Sequence, residues 1–251
     1  MGSIPGIDGL IWLLLAVILL LVFQRWLHRE LQGIFLVTTR HPGVASGLFS
    51  LVFFPGVILH ETSHFLMARL LGVSTSGFSL LPRSTSDGQL QLGYVETGQA
   101  DILRDALIGL APLITGGLFV AYTAIYHLHL LPLWEFLRRG QMDLFWMGLA
   151  GVPSLQDFPL WFYLTFAVSS TMLPSASDRH AWLPLGLWLG LLVGLALLAG
   201  AGPWMLTNLA PPLNAFLRSL ATLFGLSAAL HALLILPLML IYQLLSRLTG
   251  V

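Results

Sequence analysis

The amino-acid sequence predicts an all-α polytopic membrane protein of about six transmembrane helices, with a small β-hairpin after the second and helices lying along the membrane surface. Three observations lead there. Of the 251 residues, 57% are hydrophobic and only 9% are charged, where a soluble domain carries about a quarter charged. The mean hydropathy is +0.86, so lipid rather than water must cover most of the surface. The apolar residues also gather into runs of the length that a helix needs to cross a bilayer, roughly 20 residues.

Taken in order, the first span is expected at about 10–27. It ends in an interfacial cluster, Arg25-Trp26-Leu27-His28-Arg29. The second is expected at about 46–71, the third at 102–127, a short fourth at 160–174, a fifth at 182–201 and a last at 226–245. Residues 73–99 form the one long polar stretch. Asp87-Gly88 is a turn signal, and the alternation Gln89-Leu90-Gln91-Leu92 follows it, which reads as a hairpin. Residues 133–147 mix Trp134, Phe136, Phe145 and Trp146 with Glu135, Arg138, Arg139 and Asp143, a composition suited to a helix in the headgroup region. Residues 204–224, interrupted by Pro211-Pro212, fit either a second interfacial piece or a half-span. This divides the chain into a first helix and loop (1–45), a three-helix core with the hairpin (46–181) and C-terminal helices (182–251).

Charge and residue usage exclude several functions. The formal net charge is zero, and without a basic surface no nucleic-acid partner is expected. There is no cysteine, which removes disulfides, iron–sulfur clusters and thiolate metal sites. The arginines divide almost evenly between the two faces, so the positive-inside rule assigns no orientation. Met1 to Gly9 lacks a basic n-region and no small-residue cleavage site follows, so the first apolar run reads as a retained span.

The second span contains His60-Glu61-Thr62-Ser63-His64. On a helix, positions i and i+4 share a face, so both imidazoles converge on one point. A zinc ion fits that point, and Glu61 stands beside it as general base. Depth strengthens the argument. His60 lies about 14 residues, or roughly 20 Å, into the span. Ionisable groups there cost about 2.5–3.5 kcal/mol each and mark function. The competing account is two neutral histidines and a protonated glutamate bonded to neighbouring helices. Catalytic zinc takes three protein ligands. Asp178, just past the helix-breaking Pro174, is the leading candidate for the third, but it also fits an N-cap for the fifth span or a partner of Arg179. His180 is the next candidate. His231 reads as a hydrogen-bonded packing residue, and His127 and His129 as interfacial.

In these features the chain resembles the site-2 protease family of intramembrane zinc metalloproteases. The pentapeptide lies late in a span and a polar hairpin follows. Next come a span with Gly109-Leu110-Ala111-Pro112-Leu113-Ile114-Thr115-Gly116-Gly117 and a Pro-containing turn with an aspartate. The resemblance covers about 46–180. It implies His60, His64 and Asp178 as zinc ligands, Glu61 as general base and a membrane-protein substrate. The chain departs from the family's pattern where Arg179 stands in the place of a glycine and Thr171 is nearest to the place of an asparagine.

Edge pairing with a locally unwound substrate gives Gln89, Leu90, Gln91 and Leu92 as expected substrate-binding residues. The expected location is a prokaryotic cell membrane, crossed several times. Two other classes compete: a non-catalytic, metalloprotease-like binding or regulatory partner, and a metal transporter. The transporter would need polar residues along a whole crossing, and outside the pentapeptide the spans hold few.

Overall fold

The computed structural model describes residues 8–80, 83–84 and 90–250. In chain order these are helices α1 (Asp8–Thr39) and α2 (Pro42–Leu70), and strands β1 (Thr75–Ser79), β2 (Arg83–Ser84), β3 (Leu90–Gln91) and β4 (Tyr94–Thr97). Helices α3 (Ile102–Tyr126), α4 (Leu130–Arg138), α5 (Met142–Gly151), α6 (Phe158–Thr171), α7 (Trp182–Leu198), α8 (Gly202–Asn208) and α9 (Ala210–Thr249) follow. Four of them, α1, α2, α3 and α9, are long and apolar enough to cross a membrane. The pair α7 and α8, bent by 115°, makes a fifth if it counts as one span. The expected six are therefore not all matched. The fourth is α6, and its 14 residues extend only about 21 Å.

Three expected boundaries are corrected. The first helix does not stop at Leu27 but runs to Thr39. Arg25 and Arg29 mark an interface without breaking a helix, and the chain turns only at Arg40, which has φ 53, ahead of Pro42. The stretch 204–224 is not one piece. It breaks at Leu209, and Pro211 and Pro212 lie in the first turn of the 40-residue α9, where a missing N–H costs nothing. Residues 133–147 form two helices. Gly140, at φ 69, closes α4 with a Schellman pair: Gln141 N–H donates to Phe136 O (2.9 Å) and Gly140 N–H to Leu137 O (3.1 Å).

The contacts of the chain fall into two units, residues 1–51, 99–109 and 175–251 in one, and 52–98 and 110–174 in the other. In the first, α1 and α9 lie side by side. Gly9 N–H donates to Asn214 Oδ1 at 2.7 Å, Asn214 Nδ2 donates to Asp8 at 2.7 Å, and Arg218 pairs with Asp8. Farther along, Gly33 faces the ring of Tyr242, which a Cβ would meet at 2.8 Å. Leu20, Leu27 and Leu31 of α1 and Phe224, Ala228 and Ile235 of α9 are buried. Asp101 caps α3, accepting from the N–H groups of Leu103 (3.1 Å) and Arg104 (3.0 Å). The Arg104 N–H bond, foremost, holds its carboxyl below the usual carboxylate range. By contrast α7 buries no residue, and its leucines need lipid or another helix to cover them.

In the second unit α6 is the central element. Thr165 to Ser170 are all buried, a helix covered all round. Its hydroxyls are satisfied mainly within the helix: Thr165 donates to Trp161 O (2.7 Å) and Ser169 to Phe166 O (3.1 Å). Thr165 also bonds Thr123 of α3 at 3.0 Å. Phe53 of α2 meets Phe166, ring centroids 5.5 Å apart, and Tyr163 donates its hydroxyl to Val52 O at 3.0 Å.

Helix α2 ends at a second Schellman pair. Gly72 has φ 70, Val73 N–H donates to Ala68 O (2.8 Å) and Gly72 N–H to Arg69 O (3.1 Å). The polar stretch that follows is antiparallel, as expected, but as two short ladders. Strand β1 pairs β4 with a bulge between Thr75 and Gly77, and β2 pairs β3. The Asp87-Gly88 turn lies outside the described residues.

Candidate metal centre

His60, Glu61 and His64 lie on α2, a helix long enough for the i, i+4 geometry to hold. Glycine sets how closely this part of α2 is approached. Gly56 stands one turn before His60, and a Cβ there would run into Thr171 Oγ1 and the Ala167 carbonyl. The backbones of α2 and α6 touch there as only glycine allows.

That approach has a chemical result one turn later. Thr171 is the last residue of α6, so its carbonyl has no acceptor role within the helix. The Nδ1–H of His60 donates to it at 2.7 Å. The bond selects the tautomer and leaves the Nε2 lone pair of His60 directed away, as in metal sites whose histidines are oriented by a backbone carbonyl.

The His64 ring meets it. The two Nε2 atoms are 3.2 Å apart, and the rings stand nearly perpendicular, at 77° with centroids 4.8 Å apart. Metal–nitrogen bonds of about 2.0–2.1 Å would make that separation subtend roughly 100–106° at a shared ion, close to tetrahedral. The separation is compatible with both nitrogens binding one divalent cation. Ser63 Oγ donates to His60 O at 2.6 Å, which turns its hydroxyl back onto the helix.

Glu61 is only 8% exposed and His64 6%. Against Glu61 lies Gly93, between β3 and β4 and itself buried. A Cβ on Gly93 would meet Glu61 Cγ at 2.7 Å and both Cδ and Oε1 at 3.1 Å. The backbone of the hairpin thus forms one wall of the carboxyl pocket. Of the residues expected to bind substrate, Leu92 is half-buried immediately before Gly93. Leu90 and Gln91 are described by their backbone in β3, while Gln89 lies outside the described residues.

Asp178 sits, half-buried, in the turn after Pro174. Its carboxylate accepts from Ser175 N–H at 2.7 Å, and Ser175 Oγ accepts from Asp178 N–H at 3.3 Å. Two alternative roles fall away. The N-cap of α7 is Ala181, and Arg179 directs its Nε–H to the Ser175 carbonyl at 3.0 Å. Gly109 of α3 lies against the Asp178 carbonyl, leaving no room for a Cβ, so the turn is held at its backbone.

Three other histidines are engaged elsewhere. Both ring nitrogens of His180 are taken, Nε2 by Asp105 and Nδ1 by the Ser177 carbonyl. His231 is fully buried, with Nδ1 on Ser227 O at 2.7 Å. His127 stacks on Trp161, centroids 3.5 Å apart. Sequence reasoning missed Gly93, Gly56 and the Thr171 carbonyl. A glycine four residues before His60, on the same helix face, was the available signal for the second.

No protein-family model matches the chain, and neither a curated protein nor a solved structure does.

Proposed function

We propose that this protein is an intramembrane zinc metalloprotease, a divergent relative of the site-2 proteases. It hydrolyses peptide bonds of membrane-embedded or membrane-proximal substrates in a multi-pass, prokaryotic setting. One observation carries the reading: two imidazole Nε2 atoms 3.2 Å apart, one ring fixed from behind by a carbonyl, with a buried carboxyl on the next residue. His60 and His64 supply two ligands from one face of α2, and the resemblance gives Asp178 as the third. Two imidazoles and a carboxylate suit zinc, and without cysteine no thiolate site is open to the chain.

When bound, zinc acts as a Lewis acid and brings the ionisation of water to near neutral pH. The remaining work falls to the chain. Glu61 takes a proton from the attacking water and returns it to the leaving amine. A helical substrate must open its i to i+4 bonds before its carbonyl can be attacked. The 90–92 segment supplies strand edge for the opened stretch beside Glu61.

A second reading, a non-catalytic membrane binding partner, is favoured by the same 3.2 Å separation, which also fits a ring-to-ring hydrogen bond. Purified protein separates the two. The expected result is about one zinc per chain, lost in His60→Ala and His64→Ala and weakened in Asp178→Ala. Glu61→Gln is expected to keep the metal and lose about 10²–10⁴-fold in cleavage of transmembrane-helix substrates. Wild-type protein without zinc would overturn the metal site. Zinc without cleavage of any substrate would select the binding partner.

A further inference from the structure

The direction in which α1 and α9 lie beside each other fixes something the six-span expectation does not contain. The contacts between them advance together along both helices. Asp8 and Gly9, in the first turn of α1, meet Asn214 and Arg218, in the first turns of α9. Gly33, 24 residues beyond Gly9, faces Tyr242, 28 residues beyond Asn214. The paired positions are offset by 205 residues at one end and by 209 at the other, so the separation barely changes over about 36 Å of helix. An antiparallel pair would match the start of one helix with the end of the other. These two run parallel.

Both are among the helices long and apolar enough to cross a membrane, and the inference rests on their doing so. Parallel spans start on the same face. A chain alternates direction with every crossing, so the first and last of six spans would be antiparallel. We infer that the chain makes an odd number of crossings from α1 through α9, with the Asp8 end of α1 and the Thr249 end of α9 on opposite faces. At least one of the expected crossings is therefore not made, and two segments are the wrong shape for one. Helix α6 has 14 residues, and α7 meets α8 at 115°.

The partners at the Asp8 end explain why the alignment is definite. Asp8 accepts from Asn214 and pairs with Arg218, while Asn214 turns its carbonyl oxygen to the Gly9 N–H. That N–H is one of the donors a helix start leaves unbonded. A carboxylate in the first turn also suits the positive end of α1. Turning α9 round would leave this group without its matched partners.

The absence of cysteine makes the test direct. Single replacements His41→Cys, Asn208→Cys and Arg247→Cys, all at exposed positions, are offered a membrane-impermeant maleimide in sealed vesicles and again after permeabilisation. The expected result is that His41→Cys and Arg247→Cys react from the same side. Asn208→Cys is expected to react from the opposite one. Reaction of Asn208→Cys from the side of His41→Cys with Arg247→Cys from the other, or of all three from one side, would overturn the proposal. Protease-cleavable epitopes fused before Met1 and after Val251, expected on opposite faces, give the same answer without replacing any residue. Zinc content and peptide cleavage do not enter the readout, so the metalloprotease reading and this one stand or fall separately.

Discussion

At Glu61 the neighbour that matters most has no side chain. Gly93 brings backbone within contact of the carboxyl, and even a methyl group there would meet Glu61 Cγ at 2.7 Å. The carboxyl must then swing aside while His60 and His64 stay in place. Gly93→Ala is therefore expected to keep zinc and thermal stability while cleavage falls, on the order of 10²-fold for a misplacement near 1 Å. A variant that loses metal in parallel with activity would show instead that Gly93 supports the fold. The pentapeptide itself was legible in the sequence, because i, i+4 spacing on a helix is a local property. Gly93 was not, because its 32-residue separation from Glu61 is closed only by the hairpin. The Thr171 carbonyl is a backbone group and leaves no sign in residue identity, although its place at a helix end makes it free to accept.

Among the elements, the α2–α6 crossing is the one on which the histidine pair depends. Gly56 admits the α6 backbone, and the Thr171 carbonyl then reaches His60 Nδ1 at 2.7 Å. Gly56→Val adds bulk where Ala167 and Thr171 already touch. Overpacking of this kind costs about 1–3 kcal/mol, so the melting temperature should fall and zinc affinity with it. A lowered melting temperature with unchanged zinc affinity would contradict the link between the crossing and the ring. A conservative contrast is Gly47→Ala, where a Cβ meets nothing within 4 Å and no loss of stability or zinc affinity is expected. The class of these elements was readable from hydropathy, but their ends were not. Helix α1 continues past its charged cluster because arginine, tryptophan and histidine are compatible with helix. The break at Gly140 depends on a left-handed residue that composition alone does not reveal.

For the whole molecule, exposed leucines on α1, α7 and α9 mean that water is the wrong solvent for the folded chain. Held only by apolar burial in lipid, the protein should stay with membranes through high salt and alkaline washing and leave them only in detergent. Release by salt alone would point to surface attachment. Hydropathy carried this much from the start, since 57% hydrophobic residues exceed what any core of this size can bury. The number of crossings did not follow, because apolar runs of 14 and 17 residues are marginal for a bilayer. Hydropathy does not say which of them lies across it.

The Gly72 stop at the end of α2 sets a depth. Eight residues separate it from His64, about 12 Å along the helix. If α2 leaves the hydrocarbon near Gly72, a core about 30 Å thick puts His64 within a few ångströms of the membrane midplane. Water must then travel about half the thickness of the core to reach it, and a severed substrate would leave two buried stubs of similar length, each too short to span the bilayer alone.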